Sequence, residues 1–330
     1  MKPVTLEPHG FSRVSISVVN KIAAFTSKAA IPLELPGKKD YGDIDILAIV
    51  QPKCSNNLHD HIRSVFEPRV IKQNGGVISF NIEDLQIDLI TTSEENFNMY
   101  YTYLCWGDLS MVMGRTARIY GLKYGIYGLQ LPVRDTHTNH VIELIEISKE
   151  PESIFPFLGY SYDRWKLGFK TEQEVKDFAF SSNLITKDFI HMASENVKAR
   201  KRDKHRAVYK EWAKWFEANT HMYPDKKDIW VPLTMEDNLK FLEKHFPQSL
   251  VTEKYHKVFQ RMENTKKARE KFSGKHIQEL FPELEGEDFG KLIKAWNTLH
   301  PDRIEYVLNT PLQDLKEEIE QLKLTIYNNG

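Results

Sequence analysis

Three aspartates stand in stretches where a buried strand would otherwise carry apolar side chains. Asp43 and Asp45 alternate with Ile44 and Ile46 at the front of the apolar run "GDIDILAIV". Residues i and i+2 of a strand project from the same face, so the two carboxylates point the same way. Like charges this close repel unless something neutralises them. A divalent cation such as Mg²⁺ or Mn²⁺ does so, since it favours carboxylate oxygen and completes its shell with water and phosphate. Asp88 interrupts a second apolar run, "LQIDLI". If the two runs are neighbouring strands, three carboxylates converge, enough for two ions. Such a pair activates an attacking hydroxyl and steadies a leaving pyrophosphate. A blander reading exists for the first pair, because "DYGD" is turn-rich and Asp is common where a turn meets a strand. The acid in the second strand weighs against it.

The elements that would hold these residues follow from hydrophobic spacing. Residues 11–30, with Val14, Val18, Ile22 and Phe25, predict a helix, although "VSISVV" also alternates like a strand. Ile44–Val50 predicts a buried strand. "NNLHDHIRSVFEP" predicts a helix stopped near Pro68. Val77–Ile82 and Leu85–Ile90 flank Glu83-Asp84 as a hairpin. Helices are expected over 101–128, broken by glycines with Gly121 as a helix end. "HVIELIEIS" is expected to pair with "GLQLPV", and "EPESIFPFLG" to form a short helix. Beyond about residue 170 the pattern is helical, including a long helix through "NVKARKRDKHRAVYKEWAKWFEAN", a linker over 222–232 and a final acidic helix. The expected fold class is α+β: a small mixed sheet with helices on one face, leading to a largely helical C-terminal region.

Composition narrows the setting. The chain has 330 residues and a formal net charge of −1, so no global field draws it to nucleic acid, and such a partner needs a local patch. Two cysteines, Cys54 and Cys105, form no metal or disulfide pattern. The N-terminus lacks an apolar signal-peptide core, and no apolar run approaches the roughly 20 residues of a membrane span. The expectation is an intracellular protein, cytoplasmic or nuclear, without membrane contact.

Gly37, Gly42, Asp43, Asp45 and Asp88, in "G-x-x-x-x-G-D-I-D" followed by a later hydrophobic-Asp-hydrophobic strand, resemble the DNA polymerase beta-type nucleotidyltransferase superfamily. "YLCWGDLSMVMGRTARIYGLKYGIYGLQLP" and "EPESIFPFLGYSYDRW" are similar to the segments that follow in family X polymerases. A shorter likeness links "KFSGKHIQELFPELEGEDFGKLIKAW" to a helical motif of tRNA CCA-adding enzymes. The resemblance covers about residues 31–165. It implies a nucleotidyltransferase palm over 1–100 and a second segment over 101–168 that completes the cleft, while the helical pattern beyond makes 169–330 a helical C-terminal domain. It also implies transfer of a nucleoside monophosphate from an NTP or dNTP to a hydroxyl, with Asp43, Asp45 and Asp88 binding two Mg²⁺ or Mn²⁺ ions. One departure stands out. The superfamily's Gly-Ser phosphate pair is replaced here by Pro32 and Leu33, and Pro36 stands where some members carry arginine.

Other residues could contact such a substrate. Gly37, Lys38, Lys39 and Gly42 could meet its phosphates, and Arg115 and Arg118 could reach them from a flanking helix. Tyr103 and Trp106 fall where family X members place aromatics near the sugar, or they serve as core. Lys198, Arg200, Lys201, Arg202, Lys204 and Arg206 form the most basic run and the best local nucleic-acid patch, or a solvated helix face. RNA or DNA is the expected acceptor, with a protein side chain or small molecule as a further option. The alternative from another class is a decayed fold that binds nucleic acid or protein without catalysis.

Overall fold

A computed structural model describes residues 6–135, 138–190 and 206–327. Two compact units are resolved, residues 1–251 and 252–330, with the boundary at the start of the helix Val251–Lys271.

The first unit begins with α1 (Pro8–Ile22), which has proline in its first turn and buries Phe11, Ser15, Val18 and Ile22 on one face. Spacing predicts this helix as far as residue 30. Instead it stops at Ile22, and Thr26–Ala30 is an edge strand, β1. Its backbone groups pair antiparallel with β2 (Asp43–Val50), and that tertiary pairing overrides the local helical pattern. A 3₁₀ turn (Pro52–Asn57) and α2 (Leu58–Phe66) follow. Next come β3 (Ile71–Asn74), β4 (Val77–Ile82) and β5 (Leu85–Thr91). The hairpin expected at Glu83-Asp84 is present. The short polar strand β3, "IKQN", carries no apolar alternation that would reveal it.

The sheet order is β1-β2-β5-β4-β3, mixed, with β2 and β5 parallel at its centre. Parallel neighbours need a crossover, which α2 and the β3–β4 pair supply. Ile44, Ile46, Ile87, Leu89, Ile78 and Phe80 cover one face and pack on α1 and α2. On the opposite face Leu47 and Ile90 pack with Phe97 of α3 (Glu94–Leu104). Period-two alternation therefore leaves Asp43, Asp45 and Asp88 on the α3 side, beside an apolar patch rather than beneath one.

The rest of this unit is α4 (Leu109–Arg118), an antiparallel sheet β6 (Lys123–Gly125), β7 (Gly128–Arg134) and β8 (Val141–Ser148), and helices α5 (Pro151–Phe157), α6 (Tyr162–Lys166) and α7 (Glu172–Ala179). The predicted pairing of 141–148 with 128–134 holds. Gly121, at φ +70°, turns the chain after α4. Of the long helix expected over 196–219, α8 (Ala207–Ala218) is present, buried through Tyr209, Trp212 and Phe216; it starts after an extended Arg206, and residues 191–205 lie outside the described residues. α9 (Met235–His245) completes the unit.

The second unit contains α10 (Val251–Lys271), α11 (Gly274–Leu280), α12 (Gly286–Leu299), α13 (Arg303–Asn309) and α14 (Leu312–Tyr327). Its core gathers Phe272, Ile277, Leu292, Trp296, Val307, Leu315 and Ile319. The chain is thus α+β, with a small mixed sheet and a helical C-terminal region.

Candidate active site

The parallel register of β2 and β5 sets Asp45 directly opposite Asp88, and Asp43 opposite Gln86. On the next strand Ser79 lies opposite Asp88. The three carboxylates predicted to converge therefore do lie together on one face of adjacent strands. Asp43 is exposed, while Asp45 and Asp88 are partly buried.

Electrostatics mark Asp45. Burial, reinforced by the charges of Asp43, Asp88 and Glu34, pushes its carboxyl up from 3.8 to about 7, and Lys38 opposes the shift. Negative charge is in excess around this atom pair, and one lysine does not balance it. Gln86 Nε2 donates to both oxygens of Asp88, at 3.0 and 3.1 Å. Tyr100, on α3, belongs to the same neighbourhood. Its phenol is raised by burial and by nearby Tyr127, Asp45 and Tyr103.

Among the described residues, no set of three or more His, Cys, Asp or Glu side chains is arranged to hold a metal ion as it stands. The donor chemistry nonetheless fits a hard divalent cation. The oxygens come from carboxylates, and a cation would offset the burial and the neighbouring charges that raise the Asp45 carboxyl.

A cleft of about 790 Å³ is lined by Lys38, Lys39, Tyr41, Glu34, Trp106 and Phe169 among others; the three aspartates do not line it, and the link to them is the effect of Glu34 and Lys38 on the Asp45 carboxyl. Gly37, at φ +80°, shapes its loop, and Gly42 has open space around it. Lys38 is paired with Glu34 at 2.8 Å and lies 4.7 Å from the centre of the Tyr41 ring. Trp106 meets Phe169 edge-on at 5.1 Å, and its indole N–H is buried without a partner among the described residues.

The stretch that replaces Gly-Ser is committed elsewhere. The Leu33 amide donates to Cys105 Sγ at 3.3 Å, and the Leu33 carbonyl accepts from the Trp106 amide at 2.6 Å. Pro32 has no N–H to offer. The loop is thereby pinned to the Trp106–Gly107 turn, where both residues have positive φ.

The flanking arginines both lie on α4. Arg115 is buried, donates to the Ile190 carbonyl and stacks over the Tyr209 ring at 4.9 Å. Arg118 is exposed. Tyr103 tilts against Tyr124. Of the basic run, Lys198, Arg200, Lys201, Arg202 and Lys204 lie outside the described residues. Arg206 is ion-paired with Asp108, which also accepts the Tyr209 amide at 3.1 Å.

Gln86, Glu34 and Phe169 join the site without having been singled out by sequence. Gln86 was legible, since it sits two residues before Asp88 on the same strand face. Glu34 occupies the altered loop itself. Phe169 had no local signal, because its place depends on tertiary packing against Trp106.

No family model matches the chain, and no curated protein matches it. No helix among the described residues is long and apolar enough to cross a membrane.

Proposed function

We propose that the protein is a metal-dependent nucleotidyltransferase of the polymerase beta type, moving a nucleoside monophosphate from an NTP or dNTP to a hydroxyl of RNA or DNA. The observation that carries this reading is the register that faces Asp45 with Asp88 and sets Asp43 beside them. Three acids on one face, one of them raised to about 7, are costly to keep without a cation. Asp43, Asp45 and Asp88 would hold Mg²⁺ or Mn²⁺. When bound, these ions supply charge neutralisation at the triphosphate and Lewis-acid activation of the hydroxyl.

The remaining work falls to the chain. Lys39, and Lys38 on leaving its pair with Glu34, would attract the triphosphate as point charges, standing in for the missing Gly-Ser pair. Trp106, Tyr41 and Phe169 offer apolar walls for base and sugar. Asp88 would help take the proton of the attacking hydroxyl.

A second reading, a fold retained for binding without transfer, is favoured by the Leu33 amide being occupied by Cys105. One experiment addresses both. The protein is incubated with each α-labelled NTP and dNTP, Mg²⁺ or Mn²⁺, and pooled RNA and DNA primers, beside the Asp43→Ala, Asp45→Ala double variant. Label on a primer with the parent and none with the variant supports transfer. Absence of transfer, together with Mg²⁺-independent thermal stabilisation by nucleotide, favours the binding reading.

A further inference from the structure

The second unit carries its own cleft, of about 930 Å³, bounded by α10, the end of α12 and α13. That volume lies at the upper end of the roughly 300–1,000 Å³ typical of ligand clefts. Charge is unevenly shared in this unit. α10 bears seven lysines and arginines against three glutamates, whereas α14 bears four acids against two lysines. The α10 wall is regular: Lys257, Gln260, Arg261 and Asn264 fall at i, i+3, i+4 and i+7, one face of a helix, alternating cation with amide. Asn297 and Arg303 stand on the opposite wall, where the guanidinium donates to the amide oxygen.

We propose that this cleft binds a single-stranded stretch of RNA or DNA. Cations at this spacing engage phosphate oxygens, and side-chain amides present the paired donor and acceptor that base edges require. An acidic peptide would meet the same cations and amides, so what favours a nucleic acid is the reading of the acceptor as a polynucleotide. Two of the contacts on the α10 wall are exchangeable. Lys257 pairs with Glu253 four residues away on an exposed face, and Gln260 donates to Asn264 at 2.8 Å. Asp302 and Glu305 also line the cleft and repel phosphate, so the backbone runs along α10. The wall beneath is braced: His300 stacks on Tyr306 at 3.8 Å, and both bond Glu318. The proposal rests on the reading of the acceptor as a polynucleotide and gives it a place.

The test uses the full chain and fluorescein-labelled single-stranded RNA and DNA, followed by anisotropy across a salt series. The Lys257→Ala, Arg261→Ala, Arg303→Ala variant should weaken binding at least tenfold and lower the slope of log affinity against log salt by about two. A Gln260→Glu, Asn264→Asp variant, nearly isosteric, should weaken binding with all three cations in place. Lys240→Ala, an exposed cation on α9, should change neither quantity. The proposal is overturned if the parent binds neither polymer, if the triple variant keeps the parent slope, or if polyglutamate displaces RNA as well as unlabelled RNA does. Mg²⁺-dependent thermal stabilisation by NTP is read on the same samples. Its loss in the parent would count against the transfer reading alone, and its presence without RNA binding against the cleft alone.

Discussion

The side-chain amide of Gln86 spans both carboxylate oxygens of Asp88, and in the register of β2 and β5 it also lies opposite Asp43. Gln86 therefore fixes the orientation of the acid it precedes. It is exposed, so Gln86→Ala is expected to change stability by no more than about 0.5 kcal/mol. Partners that orient a metal-binding group typically contribute about 10- to 100-fold in metal affinity or activity. The Mn²⁺ concentration giving half-maximal thermal stabilisation should rise about tenfold in the variant. An unchanged midpoint would show that Asp88 needs no such orientation.

Asp45 makes the metal-free protein sensitive to pH. In the unfolded chain its carboxyl ionises near 3.8, whereas in the folded chain it keeps its proton up to about 7. Between these values the folded state holds the extra proton, so stability falls as pH rises, by at most about 1.4 kcal/mol per pH unit. The contribution is fully present below pH 3.8 and gone above about 7. Asp45→Asn should flatten this part of the profile and leave the chelator-treated protein more stable than the parent at pH 8. Parallel melting profiles for the two proteins between pH 4 and 8 would contradict the assignment.

Gly107 is predicted to resist substitution. Its φ is +61°, and an added Cβ would lie 2.9 Å from Leu35 Cδ1. Gly107→Ala combines backbone strain with this collision and should cost about 1–3 kcal/mol in chemical denaturation. Because Leu35 lines the cleft, the variant should also lose nucleotide-dependent stabilisation. Adding Leu35→Ala removes the collision but not the strain, so only part of the stability should return.

Asp108 ties α4 to the start of α8. It is 8 % exposed and accepts from both Arg206 and the Tyr209 amide. Asp108→Asn keeps the shape and removes the charge, and is expected to cost about 1.5–3 kcal/mol, the range for a hydrogen bond to a charged group. Asp163→Asn, which loses only an exposed pair with Lys166, should cost less than about 1 kcal/mol. Equal effects in urea titrations would mean that Asp108 is not a tie.

How much of the site could be read in advance depends on the range of the interactions. Strand alternation is local, so the common face of Asp43 and Asp45 was readable from "GDIDI", and Gln86 could have been found by the same rule. The helix expected over 11–30 failed at its far end because the pairing of Thr26–Ala30 with β2 joins residues some twenty positions apart. The arginines show the same limit. Helical spacing placed Arg115 and Arg118 on α4, but that Arg115 is buried against Tyr209 and bonded to Ile190 was decided by residues tens of positions away.

The sequence by itself determined that three acids sit within apolar strands, that a glycine-bearing loop precedes them, and that the chain becomes helical toward its C-terminus. These are period-two and period-3.6 patterns, written in neighbouring residues. Only the tertiary structure decided that Asp45 faces Asp88, that Cys105 occupies the Leu33 amide, and that Phe169 closes the cleft on Trp106. Strand register and aromatic packing join residues tens of positions apart. Their energy comes from burying surfaces against one another, and no short window of sequence contains both partners.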